Sequence, residues 1–204
     1  MRSYSKTLAI AAVISALSLP ALAQSMQAST DLSATNLAAK MVPANAMLTR
    51  TLSADKDQPN SEVKAVLNGK VTLSDGTVLP SNTTLIGEIT EDDMQQQGTS
   101  KLALRFTRAQ LKNGKTVPIK VTIVDITPPG SDPYAFNDWT DQTLEIDQVR
   151  ALTDVDFHSM ISSANSGVFV STKKHNVKVP GGSELQLAIG PASGTESGTS
   201  TDAS

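Results

Sequence analysis

Between residues 101 and 123 the chain alternates apolar and polar side chains closely enough to predict how it pairs. Leu102, Leu104 and Phe106 are separated by Ala103 and Arg105, and Val117, Ile119, Val121 and Ile123 by Pro118, Lys120 and Thr122. A period of two places each set on one face of a half-buried strand. Between the runs lies Lys112-Asn113-Gly114-Lys115, whose Asn-Gly accepts the positive φ values of a two-residue type I′ turn. With Lys112 opposite Lys115, Phe106 faces Val121 and Leu104 faces Ile123, while Arg105 faces Thr122 and Thr107 faces Lys120. Apolar meets apolar, and a slip of one residue would turn the core side chains outward.

The same reading predicts a second hairpin centred on Asp75-Gly76, bringing 71–73 against 78–80, and further strands at 47–52, 63–67, 85–89, 168–171 and 185–189. The sum is an all-β fold, a small barrel or sandwich built from hairpins, with one irregular insertion and disordered termini. A motif of aliphatic-Pro-x-Asn/Gly-small-x-Leu recurs at 42–48, 79–85 and 179–185. It reads as a turn feeding a new strand, with Pro at the turn's second position and Asn or Gly at positive φ in the third.

The insertion spans about 127–160. It opens on Pro128-Pro129-Gly130 and regains aliphatic spacing only at Leu144, Ile146, Val149 and Leu152. Three of its side chains, Tyr134, Phe136 and Trp139, are half of the six aromatics after residue 24, the others being Phe106, Phe157 and Phe169. Exposed together they form a contact patch for a glycan or an envelope protein; folded back, they plug the barrel as satellite core.

Both ends differ from the middle. Arg2 and Lys6 precede an apolar run over 8–19, and Ala21-Leu22-Ala23 is a small-x-small cleavage site, so residues 1–23 read as a secretory signal peptide. Residues 24–41 read as a linker or loose helix, 42–189 as a single β domain, and 190–204 as a disordered tail of Gly, Pro, Ala, Ser, Thr, Glu and Asp. A periplasmic or secreted location follows. The apolar run is too short for a membrane span. The chain has no Cys, which excludes a lipid anchor at a cleavage-site Cys, disulfides and thiolate chemistry. Of 17 Lys and Arg, two leave with the signal, so 15 face 20 acids, and nucleic acid is not an expected partner. The strongest basic cluster, Lys173-Lys174-His175 with Lys178, reads as a solvated turn between strands.

The run from Val71 through Asp75-Gly76, Leu79-Pro80-Ser81-Asn82-Thr83-Thr84-Leu85 and Gly87, followed by 101–109 and Asn113-Gly114-Lys115, resembles the C-terminal barrel domain of the type IV secretion and conjugation channel scaffold. It is also similar to exported bacterial proteins of uncharacterised function that share this core and the closing strand pair at 177–187. The resemblance implies a β barrel and brings no catalytic residues.

Candidate chemistry is sparse. There is no Gly-x-Ser-x-Gly elbow, and His158 and His175 are the only histidines. Ser-x-x-Lys occurs at Ser53/Lys56, Ser61/Lys64 and Ser171/Lys174 without the companion motifs of penicillin-binding enzymes. Glu91-Asp92-Asp93 reads as a solvated loop, and Asp132, Asp138, Asp141 and Glu145 lack the spacing of a Ca²⁺ loop. The expected function is therefore a soluble binding or structural component of the cell envelope, not an enzyme, with no metal and no cofactor. Two alternatives stand beside it: a hydrolase of envelope material using Asp138, Asp141 or Glu91, and a subunit of a secretion or conjugation assembly.

Overall fold

The computed structural model describes residues 36, 40–131, 155–171, 173 and 175–192, with the backbone alone of 147–152. The strands among them, in chain order, are β1 (Val42–Leu48), β2 (Leu52–Ser53), β3 (Glu62–Leu67), β4 (Val71–Thr72), β5 (Val78–Leu79), β6 (Thr84–Thr90), β7 (Ser100–Gln110), β8 (Thr116–Thr127), β9 (Asp147–Leu152), β10 (Val155–Met160), β11 (Gly167–Ser171), β12 (Lys178–Val179) and β13 (Glu184–Pro191). The fold is all-β, as expected. Six strands in the order β6-β3-β1-β13-β8-β7 close into a barrel because β7 pairs back onto β6, which leaves those six without a free edge. Leu67, Leu85, Phe106, Ile123 and Leu187 fill its interior. β11, β10 and β9 extend the sheet outward from β7.

Both expected hairpins form, on turns one residue longer than the type I′ loop. Leu111 N donates to Lys115 O at 2.8 Å and Gly114 N to Leu111 O at 2.9 Å, with Gly114 at φ 83°. Lys112-Asn113-Gly114 is thus a three-residue loop ending on a left-handed glycine. Leu73 N to Thr77 O and Gly76 N to Leu73 O repeat the scheme at Ser74-Asp75-Gly76. In each, the Asx side chain accepts from the residue after the glycine, Asp75 from Thr77 N and Asn113 from Lys115 N.

The β7–β8 register therefore corrects the expected one: Ala109 pairs with Val117 and Arg108 with Pro118, and neither Phe106–Val121 nor Leu104–Ile123 is a ladder pair. The cause is a bulge. Ile86 of β6 pairs with Arg108 but Gly87 pairs with Phe106, so Thr107 is an extra residue that reverses the phase of β7. Leu102, Leu104 and Phe106 are buried, and then Ala109 in place of residue 108. Unbroken alternation put the turn one residue out.

The barrel's two halves repeat one hydrogen-bond scheme about the Met47–Val66 pair of β1 and β3. Leu48 N donates to Ser183 O and Gly182 N to Leu48 O; on the other side Leu67 N donates to Thr83 O and Asn82 N to Leu67 O. Leu52 pairs with Val179 as Val71 pairs with Leu79. Even the bulges correspond. Between Gln186 and Leu187, β13 skips Val124 of β8 just as β6 skips Thr107 of β7. By these registers β1 matches β3, β13 matches β6, and β8 matches β7.

This relation explains the repeated proline motif and corrects it. Two copies are equivalent turns: Thr83 N and Oγ1 both donate to Pro80 O, and Ser183 N and Oγ both donate to Pro180 O, with Asn82 and Gly182 at positive φ. Proline stands first in the turn, not second. The third copy, 42–48, is no turn at all but strand β1, bonded to β13 along its length. Strand β13 also runs on through Gly190 and Pro191, past the expected domain end at Ile189.

Candidate binding site at the barrel rim and seam

Two places gather polar side chains. The first is an open cleft of about 580 Å³ beside β2 and β12, lined by Arg50, Ser53, Asp55, Asp57, Asn176 and Lys178, among others. After Ser53 the chain turns at once, with Lys56 N and Asp57 N both donating to Ser53 O. That turn brings Asp57 back to accept from Ser53 N at 2.7 Å and from Arg50 Nη1 at 2.7 Å. Arg50 Nη2 reaches on to Glu62 O at 3.0 Å, so Arg50 clamps the cleft floor to β3. The Ser53 hydroxyl donates to Asp55, and this bond holds the Asp55 carboxyl below its usual range against the opposing effect of desolvation. With its pKa lowered, Asp55 is not poised as a proton donor at neutral pH, and Lys56 and Lys178 are exposed.

The second place is the seam where β8 leaves β7. After three pairs the strands part, and the first half of β7 bonds to β11, from Leu104–Gly167 to Ser100–Ser171. Ser166 fills the fork: its N donates to Leu104 O, its carbonyl accepts from Ile123 N, and its hydroxyl accepts from Phe106 N. The turn before it is held by Asp93, which accepts from Ser163 Oγ and Ala164 N at 2.8 Å each, while Asn165 Oδ1 accepts from Asp93 N. Lys120 Nζ donates to Ser163 O. Burial holds Lys120 below the ordinary lysine range; Arg105 adds to that shift and Asp93 opposes it.

The sequence candidates fare unequally. Tyr134, Phe136 and Trp139 lie outside the described residues, as do Asp132, Asp138, Asp141, Glu145, the signal segment and the tail beyond 192. The acidic loop is not merely solvated. Glu91 is exposed, but the Asp92 side chain is only 7 % exposed and accepts from Met94 N, Gln96 N and Lys101 Nζ, and Asp93 ties the seam as described. The Ser-x-x-Lys hydroxyls are structural: Ser53 serves Asp55, Ser61 accepts from Gln58 N, and Ser171 donates to Lys173 O. Lys173, His175 and Lys178 are exposed between β11 and the start of β13, in keeping with a turn, and His158 is half-buried on β10. Sequence reasoning named Arg105, Lys120 and Thr122 only as outward strand positions; their meeting at a fork depends on β11, far along the chain.

No group of His, Asp or Glu among the described residues is arranged to hold a metal ion, and none of the helical residues described is part of a helix long and apolar enough to cross a membrane. Searched against protein-family models the chain matches none, and no curated protein is significantly similar to it.

Proposed function

We propose that this is an exported binding or structural component of the cell envelope, acting by non-covalent contact and not by catalysis. One observation carries the reading: in the rim cleft both carboxylates are tied to the protein itself, Asp57 to Arg50 and Ser53 N, and Asp55 to the Ser53 hydroxyl that lowers its pKa. Acid catalysis at neutral pH needs a carboxyl with a raised pKa. What the cleft offers a ligand is Asn176, Lys56 and Lys178 on a fixed rim, a surface suited to recognition. The leader-like first 23 residues support export, and Tyr134 and Trp139 are of the aromatic types enriched at binding hot spots.

The test is capture of partners from the detergent-solubilised envelope of the source cells by the purified chain. Two variants are run beside it, Tyr134→Ala/Phe136→Ala/Trp139→Ala and Lys56→Glu/Lys178→Glu, each matched to the parent by circular dichroism. A partner held by the parent and lost by either variant is the expected result and assigns the surface. No capture, with release of soluble fragments from envelope material, would overturn it in favour of the hydrolase; capture of a secretion or conjugation subunit would redirect it to an assembly role.

A further inference from the structure

The fork between β7 and β8 holds donors without acceptors. Arg105 of β7 and Thr122 of β8 occupy equivalent positions in the two halves, each preceding the residue, Phe106 or Ile123, that bonds to Ser166. Thr122 is 5 % exposed and its Oγ1 has no hydrogen-bond partner; Arg105 Nε is buried and has none either. Arg105 forms no ion pair within 4 Å among the described residues, although Glu88 is its cross-strand neighbour on β6. Lys120 lies two residues from Thr122 on the same side of β8, close enough for the charge of Arg105 to act on it. Asp93, whose charge acts on Lys120 in the opposite sense, accepts from the Ser163 hydroxyl and Ala164 N.

Two cations and an unpartnered hydroxyl thus lie about a partly buried fork, with Asp93 acting on Lys120 and Glu88 across the ladder from Arg105. Buried donors are ordinarily satisfied, and like charges are ordinarily kept apart unless an anion joins them. A guanidinium presents paired N–H groups to a planar or tetrahedral oxyanion, and an ammonium and a hydroxyl complete such a site. Arg105 is only half-buried, which leaves a ligand a way in.

We propose that the seam binds a small oxyanion, a carboxylate or a phosphoryl group, held by Arg105, Lys120 and Thr122. The site is separate from the rim cleft, and it stands whether or not the chain has an envelope partner. An anion there would also raise the Lys120 pKa toward the ordinary range, the reverse of what burial and Arg105 do now.

The experiment is a titration of the purified full chain with inorganic phosphate and, separately, with acetate at constant ionic strength, followed by amide chemical shifts. Saturable shifts centred on residues 104–106, 121–123 and 163–166 are expected. Arg105→Gln should weaken binding by about tenfold or more and Lys120→Met by a smaller factor, as for loss of a charge-assisted hydrogen bond. Tighter phosphate binding assigns a phosphoryl ligand, and equal or tighter acetate binding a carboxylate. Shifts centred instead on Lys56 and Lys178, or affinity unchanged in both variants, would overturn the proposal. So would anion binding by Glu88→Gln but not by the parent, since Glu88 would then be Arg105's own partner. The shift map uses the unaltered protein and decides the question even where a variant fails to fold.

Discussion

The two rims of the barrel make an instructive contrast, because the same backbone scheme supports both and only one sets a carboxylate against an arginine. At β4–β5 the strands join through Ser74-Asp75-Gly76, and the position corresponding to Arg50 is Gly69, which has open space around it. At β2–β12 the strands come from distant parts of the chain, Ala54 N donating to Val177 O where the other rim has Leu73 N to Thr77 O. Freed from closing a hairpin, residues 54–57 turn back and place Asp57 against Arg50 and Asp55 against the Ser53 hydroxyl. The scaffold is thus indifferent to what its rims carry. Chemistry enters where non-local connection leaves the loop unconstrained.

A similar contrast separates the closed β1–β3 side from the open β7–β8 side, and it can be broken most severely at Phe157. Phe157 and Phe169 stack at 4.8 Å between centroids and are buried in the main core although they sit on strands outside the barrel. Phe157→Ala should cost about 3–5 kcal/mol by chemical denaturation, as large core truncations do. A loss below about 1 kcal/mol would mean that the added strands merely lie on the barrel. Next in size is Gly87→Ala. A Cβ there would stand 2.3 Å from Arg105 O, while the corresponding position on β13 is Leu187, fully buried. That close approach to β7 backbone predicts a loss of about 1–3 kcal/mol, without the relaxation a flexible neighbour would allow.

The equivalence itself is sharpened by smaller changes. Thr83 and Ser183 are 1 % and 0 % exposed and make matching hydroxyl bonds to Pro80 O and Pro180 O at 2.7 and 2.8 Å. Thr83→Ala and Ser183→Ala should each cost about 1 kcal/mol, and a large inequality between them would break the comparison. At the seam, Lys120 supplies a pH test. Its folded pKa is lowered, so the unfolded chain binds the proton more readily. Stability should therefore rise with pH between the lowered value and the ordinary lysine value, and the rise should vanish in Lys120→Met.

Much of this architecture can be read from residues alone. Asp75-Gly76 and Asn113-Gly114 mark both tight turns, and the alternation at 102–106 marks which side of β7 is core. The proline motif even betrays the barrel's internal equivalence, through Leu79–Leu85 and Val179–Leu185. The register of β7 on β8 is hidden because a bulge at Thr107 leaves no trace in apolar spacing: Thr107 and Arg108 are both exposed, as two successive loop residues would be. Val42–Leu48 carries the turn motif's letters but pairs with β13 along its length, so tertiary pairing overrides local preference there. Neither candidate site is legible, since Arg50 meets Asp57 through a turn and Arg105 meets Lys120 only where β11 displaces β8.

The subtlest difference between the rims is electrostatic, and it rests on one hydroxyl. By register Ser53 corresponds to Thr72 and Asp55 to Ser74, so the second rim has no carboxylate at that point, and Ser74 Oγ donates instead to Lys40 O. The Ser53 hydroxyl favours the ionised form of Asp55, which lowers its pKa. A carboxylate so lowered contributes its stabilisation above its unfolded pKa and loses it as pH falls through the folded value. Because Asp55 is solvent-facing the effect on stability is too small to isolate by denaturation, and its titration is the proper measurement. In Ser53→Ala the Asp55 midpoint should move up toward the ordinary aspartate value. Thr72→Ala should leave it where it is. If instead Lys178→Met moved it as far as Ser53→Ala does, charge and not the hydrogen bond would set the character of the cleft, and the rim would be a general basic surface in place of a specifically organised one.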